Sequence, residues 1–256
     1  MSNIAKAFEN GKAFISFVTG GDPRIEKTKE FILEMFRAGS DLVEIGIPFS
    51  DPIAEGPVIQ EANIRALRSG ATVEKLFTLV EDVRMTTDAP LVFLTYLNPV
   101  FHYGYDAFFK RCNAAGLDGI IIPDLPFEEQ ADVREAASKY GVDLISLIAP
   151  TSETRIKEIA KTASGFIYLV SSMGVTGVRS EITTGIASIA ASVKSVTELP
   201  VAIGFGIHTP AQACDMARIA DGVIVGSAIV KIVAEHGDKA GPHIYQYVSE
   251  MKKAIT

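Results

Sequence analysis

Short apolar runs alternate with longer amphipathic segments along most of this 256-residue chain. Most of the runs lack the alternation of polar and apolar residues that marks a half-exposed antiparallel strand. Unbroken apolar runs are typical of strands that are buried on both faces, as in parallel sheets. The eight predicted strands are Phe14–Val18, Leu42–Ile45, Leu91–Leu94, Gly119–Ile122, Leu144–Ile148, Gly165–Val170, Val201–Ile203 and Gly222–Val225.

The segments between these runs carry helical patterns and helix start signals. Ile182–Val196 has apolar residues at helical spacing, which predicts one apolar stripe. Asp22–Pro23 predicts an N-cap followed by proline at the first helical position. Thr209–Gln212 fits a capping box. Eight strand–helix units in a chain of this length predict an α/β protein with a closed (β/α)8 barrel.

The chain shows no linker, no low-complexity tract and no shift in composition that would divide it. We therefore expect a single barrel domain over residues 1–256. Ile4–Phe8 and Ile244–Met251 are expected to be extra helices that close the barrel. No dinucleotide-binding fingerprint follows the first strand, because Val18–Asp22 has the wrong glycine spacing.

Composition narrows the classes of protein and of partner. Residues are 48% hydrophobic and the net charge is −7, which disfavours nucleic acid and acidic membranes as partners. The two cysteines predict no disulfide framework, and the four histidines have no metal-ligand spacing, so no metal is expected. The sequence shows neither a secretory signal nor an apolar run long enough to span a membrane, so a cytoplasmic location is predicted.

Two segments that follow strands are longer than the others. In (β/α)8 barrels, the loops after the strands carry function. The steps from strand 2 to strand 3 and from strand 6 to strand 7 are the longest, and they contain Pro48–Pro57 and Ser171–Arg179. Both segments are long enough to act as lids over a site.

A carboxylate stands inside the second apolar run. Glu44 has the same strand parity as Leu42 and Gly46, and we take the face that they share to be the inside of the barrel mouth. Burial raises the pKa of such a carboxyl group, which suits proton transfer near neutral pH. The alternative is a structural ion pair, but the neighbouring strands supply no basic residue. A functional Glu44 is therefore favoured.

Other polar residues near the strand ends have open interpretations. Glu55 is either a second acid–base group or a solvated loop charge. Tyr168, on strand 6, either hydrogen-bonds Glu44 or belongs to the core. Asp124, after strand 4, either lines the mouth or caps the helix that follows it.

Glycine-rich turns after strands 7 and 8 predict a phosphate site. Gly204–Ile207 and Gly226–Ile229 each lie between a strand and a predicted helix, and barrels often bind phosphate with these two loops. Gly177 would complete the cradle with Thr176 and the hydroxyl of Ser227. Single glycines of this kind more often make only a tight turn, whereas the pair favours phosphate binding. Phe17, Leu94, Tyr96 and Phe205 either form the walls of an apolar pocket for an aromatic substrate or belong to the core, which is the commoner role for each residue taken singly.

Several blocks of this sequence resemble the tryptophan synthase α subunits. They are EIGIPFSDP followed by GPVIQ, YLVSSMGVTG at strand 6, GFGI at strand 7 and GSAIVK at strand 8, and their order and spacing match from Phe14 to Lys231. The resemblance implies a lyase that cleaves indole-3-glycerol phosphate to indole and glyceraldehyde 3-phosphate in tryptophan biosynthesis. The reaction resembles a retro-aldol cleavage with acid–base catalysis.

The resemblance also implies a role for each matched residue. Glu44 matches the catalytic glutamate, Glu55 matches the group that stabilises positive charge on the indole nitrogen, and Tyr168 matches a supporting tyrosine. The phosphate-cradle positions are Gly177, Phe205, Gly206, Gly226 and Ser227. Phe17, Leu94 and Tyr96 match walls of the indole pocket. Asp124 and Thr176, from their positions after strands 4 and 6, are added to the predicted substrate pocket.

Two positions depart from the family pattern. Glu55 stands where an aspartate is usual, so the carboxylate is displaced by more than a bond length. Ser172 stands where an arginine is usual, which implies other contacts for loop closure. The resemblance further implies an α2β2 complex with a β subunit that carries pyridoxal phosphate, with no cofactor on this chain. The surfaces implied are Pro48–Pro57, Asn98–Pro99 and the strand 6 loop.

Two other functions fit part of the sequence. A related phosphate-binding barrel, such as an isomerase of a phosphoribosyl intermediate, fits the phosphate cradle but leaves the strand 2 block unexplained. A regulatory subunit without chemistry of its own fits the partner, but Glu44 and an acid at position 55 argue against it.

Overall fold

Eight parallel strands form the centre of the molecule. The computed structural model describes residues 2–150, 152–170, 179–204 and 206–256, with the backbone alone over 179–184. The strands are β1 Ala13–Thr19, β2 Leu42–Gly46, β3 Leu91–Leu94, β4 Gly119–Ile121, β5 Asp143–Ile148, β6 Ile167–Val170, β7 Val201–Gly204 and β8 Gly222–Val225. Each strand pairs with the next in chain order and β8 pairs with β1, which closes the barrel. The predicted fold is confirmed.

The strands are apolar because the barrel buries both of their faces. Alternate residues point inwards and form one cluster that includes Ile15, Leu42 and Val92. The residues between them point outwards and pack against the helices in a second, larger cluster that includes Phe14 and Val43. This double burial explains why the sequence shows unbroken apolar runs instead of alternation.

Helices cover the outside of the barrel. The α-helices among the described residues are α1 Ile25–Arg37, α2 Pro57–Arg68, α3 Val73–Arg84, α4 Leu97–Tyr103, α5 Tyr105–Ala115, α6 Ala131–Lys139, α7 Glu153–Thr162, α8 Arg179–Lys194, α9 Pro210–Ala217, α10 Ser227–His236 and α11 Gly241–Lys253. The long step after β2 therefore contains two helices, and only residues 47–56 form the loop. The helices of the described segments are too short or too polar to cross a membrane.

The helix start signals had different outcomes. The capping box at Thr209 is confirmed, because its hydroxyl accepts a hydrogen bond from the Gln212 N–H and the Gln212 side chain bonds back. The N-cap predicted at Asp22 is wrong, because α1 begins at Ile25, after a cis peptide bond between Asp22 and Pro23. The Asp22 carboxylate is instead bound by Arg65 of α2.

The two terminal segments differ in what they cover. Ile4–Phe8 is a 3-10 helix whose apolar side chains join the inner cluster, so it closes the barrel as expected. The C-terminal helix α11 packs on the outside, chiefly against α1, and does not close an end of the barrel. The expected helix is therefore confirmed but its closing role is not, because its buried face, with Ile244, Val248 and Met251, belongs to the outer cluster.

Candidate active site

Glu44 lies on the inner face of β2, in the layer of side chains beneath the barrel mouth. Its register partners are Phe17 on β1 and Val92 on β3, and neither can neutralise its charge. Glu44 is 1% exposed, and its Oε1 atom has no hydrogen-bond partner among the described residues. Burial raises the pKa of Glu44 to about 8, so the carboxyl group is mainly protonated at neutral pH. The structural alternative requires a cation beside Glu44, and the described residues place none in hydrogen-bond contact with its Oε1 atom.

Tyr168 of β6 lies near Glu44 across the barrel. Burial raises the pKa of Tyr168 well above its ordinary value, and the charge of Glu44 raises it further. No hydrogen bond joins the two side chains within the described segments, so the predicted bond is not seen. The ring lies directly over Gly204 of β7, where a Cβ atom would be 2.4 Å from the Tyr168 hydroxyl oxygen. Glycine at this position leaves the space that the tyrosine ring occupies.

Glu55 lies in the segment between β2 and α2, and it is partly buried. The Asn63 side-chain amide of α2 donates a 2.7 Å hydrogen bond to its Oε2 atom. Burial raises the pKa of Glu55, and this hydrogen bond acts in the opposite direction. Glu55 is therefore a partly buried carboxylate with a specific donor, not a solvated loop charge. Sequence reasoning missed Asn63, although an asparagine flanked by Ala62 and Ala66 on the buried face of a helix is a detectable signal.

Tyr96 anchors the segment that carries Glu55. The ring is 1% exposed, and its hydroxyl group accepts a 3.0 Å hydrogen bond from the N–H of Ala54. The Tyr96 and Phe49 rings pack with their centroids 5.5 Å apart. Burial raises the pKa of Tyr96 to about 12, so the hydroxyl group stays protonated. Tyr96 therefore supports the segment that carries Glu55, in addition to the pocket-wall role predicted for it.

Asp124, which follows β4, supports the same region. Its Oδ1 atom accepts a 2.9 Å hydrogen bond from the N–H of Leu97, the first residue of α4. The expected cap of the following helix is wrong, because α6 and the 3-10 turn Phe127–Glu129 have no side-chain cap. Asp124 instead satisfies a free N–H group at the start of α4, which precedes it in the chain. The sequence pointed to the helix that follows because α4 itself was not predicted.

Phe17 and Leu94 form part of an apolar wall at the mouth. Phe17 packs with Ala62 and Val230, and Leu94 is among the partly buried residues against this cluster. The Phe17 ring lies over Gly46, where a Cβ atom would be 2.7 Å from the ring edge. On its other side, Phe17 lies against Gly226. This ring therefore connects the strand that bears Glu44 with the loop after β8.

The loop after β8 leads directly into α10. Gly226 is the N-cap of this helix, and Ser227 is its exposed first residue. Free backbone N–H groups and the helix dipole favour an anion at such a position. Gly206, after β7, is exposed and has a φ of 76°, which favours glycine. Gly177, Thr176, Phe205 and Ser172 lie outside the described residues.

The arrangement contains the parts that a lyase site needs. One end holds a buried acid at Glu44, a partly buried carboxylate at Glu55 and an apolar wall between β1 and β3. The other end, after β8, provides a helix N-terminus with glycine and serine. Within the described residues, no group of three or more histidine, cysteine, aspartate or glutamate side chains is placed to hold a metal ion.

Comparison with known proteins gives one consistent result. The family model described as "Tryptophan synthase alpha chain" matches residues 4–256. The tryptophan synthase alpha chain of Lacticaseibacillus casei is 51% identical over 255 residues, which cover 100% of this chain and 96% of that protein. The corresponding protein of Lactiplantibacillus plantarum is also 51% identical, over 100% of this chain and 97% of that protein.

Solved structures agree with the sequence comparison. Tryptophan synthase subunit alpha from Legionella pneumophila superposes with a TM-score of 0.91 at 35% identity, covering 100% of this chain and 98% of that one. A tryptophan synthase structure from M. tuberculosis, in an aminoacrylate-bound form, gives a TM-score of 0.89 at 30% identity and covers 100% of both chains. The chain belongs to the tryptophan synthase alpha chain family.

Proposed function

We propose that Glu44 is the proton-transfer residue of this chain's lyase reaction. Members of the family are carbon–carbon lyases of tryptophan biosynthesis, and the alpha reaction cleaves indole-3-glycerol phosphate to indole and glyceraldehyde 3-phosphate. The single observation that carries the assignment is a carboxyl group that is fully buried inside the mouth and has an Oε1 atom without a partner in the described segments. Such a group is mainly protonated at neutral pH and can act as an acid.

The chemistry requires a proton at the indole carbon whose bond to the side chain breaks. Glu44 donates this proton, and positive charge then develops on the indole nitrogen. Loss of the proton from the side-chain hydroxyl forms the aldehyde, and the electrons of the broken carbon–carbon bond restore the aromatic ring. The Glu44 carboxylate left by the first step is a suitable acceptor for the hydroxyl proton. Tyr168 lies close enough to interact with that charge.

Glu55 stabilises the positive charge on the indole nitrogen as a carboxylate. Its position in the segment after β2, on the same side of the barrel as Glu44, supports this role. Phe17 and Leu94 contact the faces of the indole ring, with Tyr96 and Asp124 supporting the loops around it.

The phosphate group binds at the N-terminus of α10. Gly226 and Ser227 supply backbone N–H groups and a hydroxyl group there, and Gly206 supplies the turn after β7. Gly177, Thr176 and Phe205 belong to the same cradle by their match to the family motif. This anchoring fixes one end of the substrate and leaves the indole beside Glu44.

The chain works as the alpha subunit of an α2β2 complex in the cytoplasm, as a single domain. The β subunit carries the pyridoxal phosphate and receives the indole. Two apolar side chains near the mouth support a partner surface: Ile53, between β2 and α2, is 79% exposed, and Phe101, on α4, is 70% exposed. One solved structure that is similar to this chain is a tryptophan synthase complex from Pyrococcus furiosus.

A steady-state assay of Glu44→Gln with indole-3-glycerol phosphate tests the function. The variant is expected to lose at least ~100-fold in kcat, because the amide cannot donate the proton, while the affinity for glycerol phosphate stays within about twofold. The assay is run with and without a β subunit, since a partner can complete loop closure. Cleavage at the wild-type rate by this variant would remove Glu44 from the mechanism. Turnover of a phosphoribosyl intermediate instead would favour the isomerase alternative.

A further inference from the structure

The Asn63 side chain contacts the Glu55 carboxylate but has no part in the reaction described above. It is only 3% exposed, and a buried amide is costly unless it is hydrogen-bonded. Its Nδ2 atom donates to Glu55 Oε2 at 2.7 Å. Both neighbours on the same face of α2, Ala62 and Ala66, are fully buried and apolar. A polar side chain in this position is explained by the carboxylate that it binds.

The helix that carries Asn63 is firmly attached to the barrel. Arg65 donates two hydrogen bonds to the carboxylate of Asp22, from Nε at 2.9 Å and from Nη2 at 2.7 Å. The Ser69 hydroxyl group donates to the carbonyl of Gly21 at 2.9 Å. Both contacts hold α2 to the end of β1, so the Asn63 amide is presented from a rigid element.

The other contacts of this segment act on its backbone. The Tyr96 hydroxyl group accepts from the N–H of Ala54, and the Gln60 side chain donates to the carbonyl oxygen of Glu55 at 2.8 Å. Among the titratable groups around this segment, Tyr96 interacts electrostatically with both Glu55 and Asp124. Among the described residues, only Asn63 donates a hydrogen bond to the carboxylate of Glu55 itself. That bond lowers the pKa of Glu55, whereas burial raises it.

We propose that Asn63 is a positioning residue that fixes the Glu55 carboxylate beside the indole nitrogen and favours its ionised form. The proposal rests on the function assigned to Glu55 above. It follows from the geometry that two features of the site depend on one amide: the direction in which the carboxylate points and the pH range in which it is charged. A glutamate has one more rotatable bond than the aspartate that is usual in the family, so a fixed donor restricts it more.

The test replaces Asn63 with leucine, which has a similar size but no donor. The kcat of the full chain with a β subunit is measured against pH, and we expect a loss of about tenfold at pH 7. The acid-side midpoint should move up by about half a pH unit or more, because Glu55 loses the bond that favours its charged form. Gln60→Leu is the matched control, since it removes a donor to Glu55 from the same helix but leaves the carboxylate bond, and its midpoint should not move.

Two further measurements separate positioning from general damage to the fold. When Glu55 is already replaced by glutamine, adding Asn63→Leu should lower kcat further by less than about twofold, because the effect of Asn63 acts through the Glu55 carboxylate. Asn63→Ala, which is smaller and fits without overpacking, should move the midpoint in the same direction. An equal fold-loss in both backgrounds, or an unchanged midpoint in both Asn63 variants, would overturn the proposal.

A titration of the Glu55 carboxyl group by ¹³C NMR, in the full chain without substrate, reports the contact independently of catalysis. Its pKa should be higher in Asn63→Leu than in the wild type, and an unchanged titration overturns the positioning role whatever the activity. Normal cleavage by Glu55→Gln alone would instead overturn the function assigned to Glu55.

Discussion

At the scale of single residues, two carboxyl groups at the barrel mouth differ in their surroundings. Glu44 is fully buried, with no partner for Oε1 in the described segments, and burial raises its pKa to about 8. Glu55 is only partly buried; burial raises its pKa as well, and the hydrogen bond from Asn63 acts against that increase. Only Glu55 has a hydrogen-bond donor that favours its charged form among the described residues, which suits a division into an acid at Glu44 and an anion at Glu55.

The pH dependence of cleavage follows from this difference. Glu44 must be protonated to act as the acid, so kcat/KM is expected to fall as the pH rises above about 8. The measurement is a pH profile of kcat/KM for indole-3-glycerol phosphate with the free enzyme, from pH 5 to 10. A profile that stays level up to pH 10 would contradict a protonated Glu44 as the donor.

At the scale of elements, the helix N-terminus after β8 and the attachment of α2 arrange the two ends of the site. The N-cap of α10 is Gly226, which touches Phe17 on the apolar wall. The Arg65 side chain of α2 binds Asp22, an almost fully buried carboxylate at the end of β1. Neither contact joins residues that are close in sequence, so both depend on closure of the barrel.

For the phosphate cradle, Gly226→Val is expected to weaken glycerol phosphate binding by about tenfold or more. An added Cβ atom would be 3.3 Å from the Phe17 side chain, and the valine methyl groups would also crowd the N–H groups of the first turn. Ser227→Ala should weaken binding by several-fold through loss of one hydroxyl group. Calorimetric titration measures both affinities. Ser195→Ala, at the C-terminal end of α8, is the matched control, and an unchanged affinity in Gly226→Val would refute the cradle.

For the attachment of α2, Arg65→Leu is expected to reduce the free energy of unfolding by ~2–4 kcal/mol. The change leaves the buried Asp22 carboxylate without its paired cation, which destabilises the folded state. Because Arg65 is partly exposed, the loss of stability is smaller than for a fully buried pair. Urea denaturation measures the difference. Arg24→Leu breaks an exposed pair with Asp238 and should cost less than ~1 kcal/mol. Equal losses in both variants would mean that burial of Asp22 is not the cause.

At the scale of the whole molecule, the closed barrel brings the ends of distant strands together around one mouth. This arrangement places an acidic group inside the apolar core, because Glu44 lies in the same layer of inward-facing side chains as Phe17 and Val92. Its pKa is higher in the folded chain than in the unfolded chain. Folding therefore favours the protonated form of Glu44.

Stability should consequently decrease through this group as the pH rises. The folded state binds the Glu44 proton more tightly, so the contribution is fully present below pH 4.5, the unfolded pKa, and is lost as the pH rises towards about 8. Glu44→Gln removes the effect and should be more stable than the wild type by ~3–5 kcal/mol above pH 8, with little gain near pH 5. Thermal unfolding of both proteins across this range provides the check. A gain that does not depend on pH would argue against a charge inside the barrel.

Sequence reasoning predicted the barrel strands well because each one is a short apolar run with an unambiguous burial pattern. The bounds of β3 and β8 agree with the prediction, and β6 begins two residues later than expected because Gly165 has a positive φ of 68° and forms a turn. Helices were harder to predict. The α4 helix was missed and α1 was placed too early, because the Asp22 signal is used by Arg65 instead of by its own helix.

The sequence by itself determined the order of the elements, the inward direction of Glu44 and the family, because these depend on local periodicity and on motifs that are contiguous in the chain. Only the tertiary structure decided how the side chains are supported. Tyr96 accepts a hydrogen bond from Ala54, 42 residues away, and Asn63 donates one to Glu55, 8 residues away. Glu44 lies beside Phe17 of β1 and Val92 of β3, and it interacts with Tyr168 of β6. Such contacts arise when the barrel closes, and periodicity within one segment does not specify which distant donor reaches which acceptor.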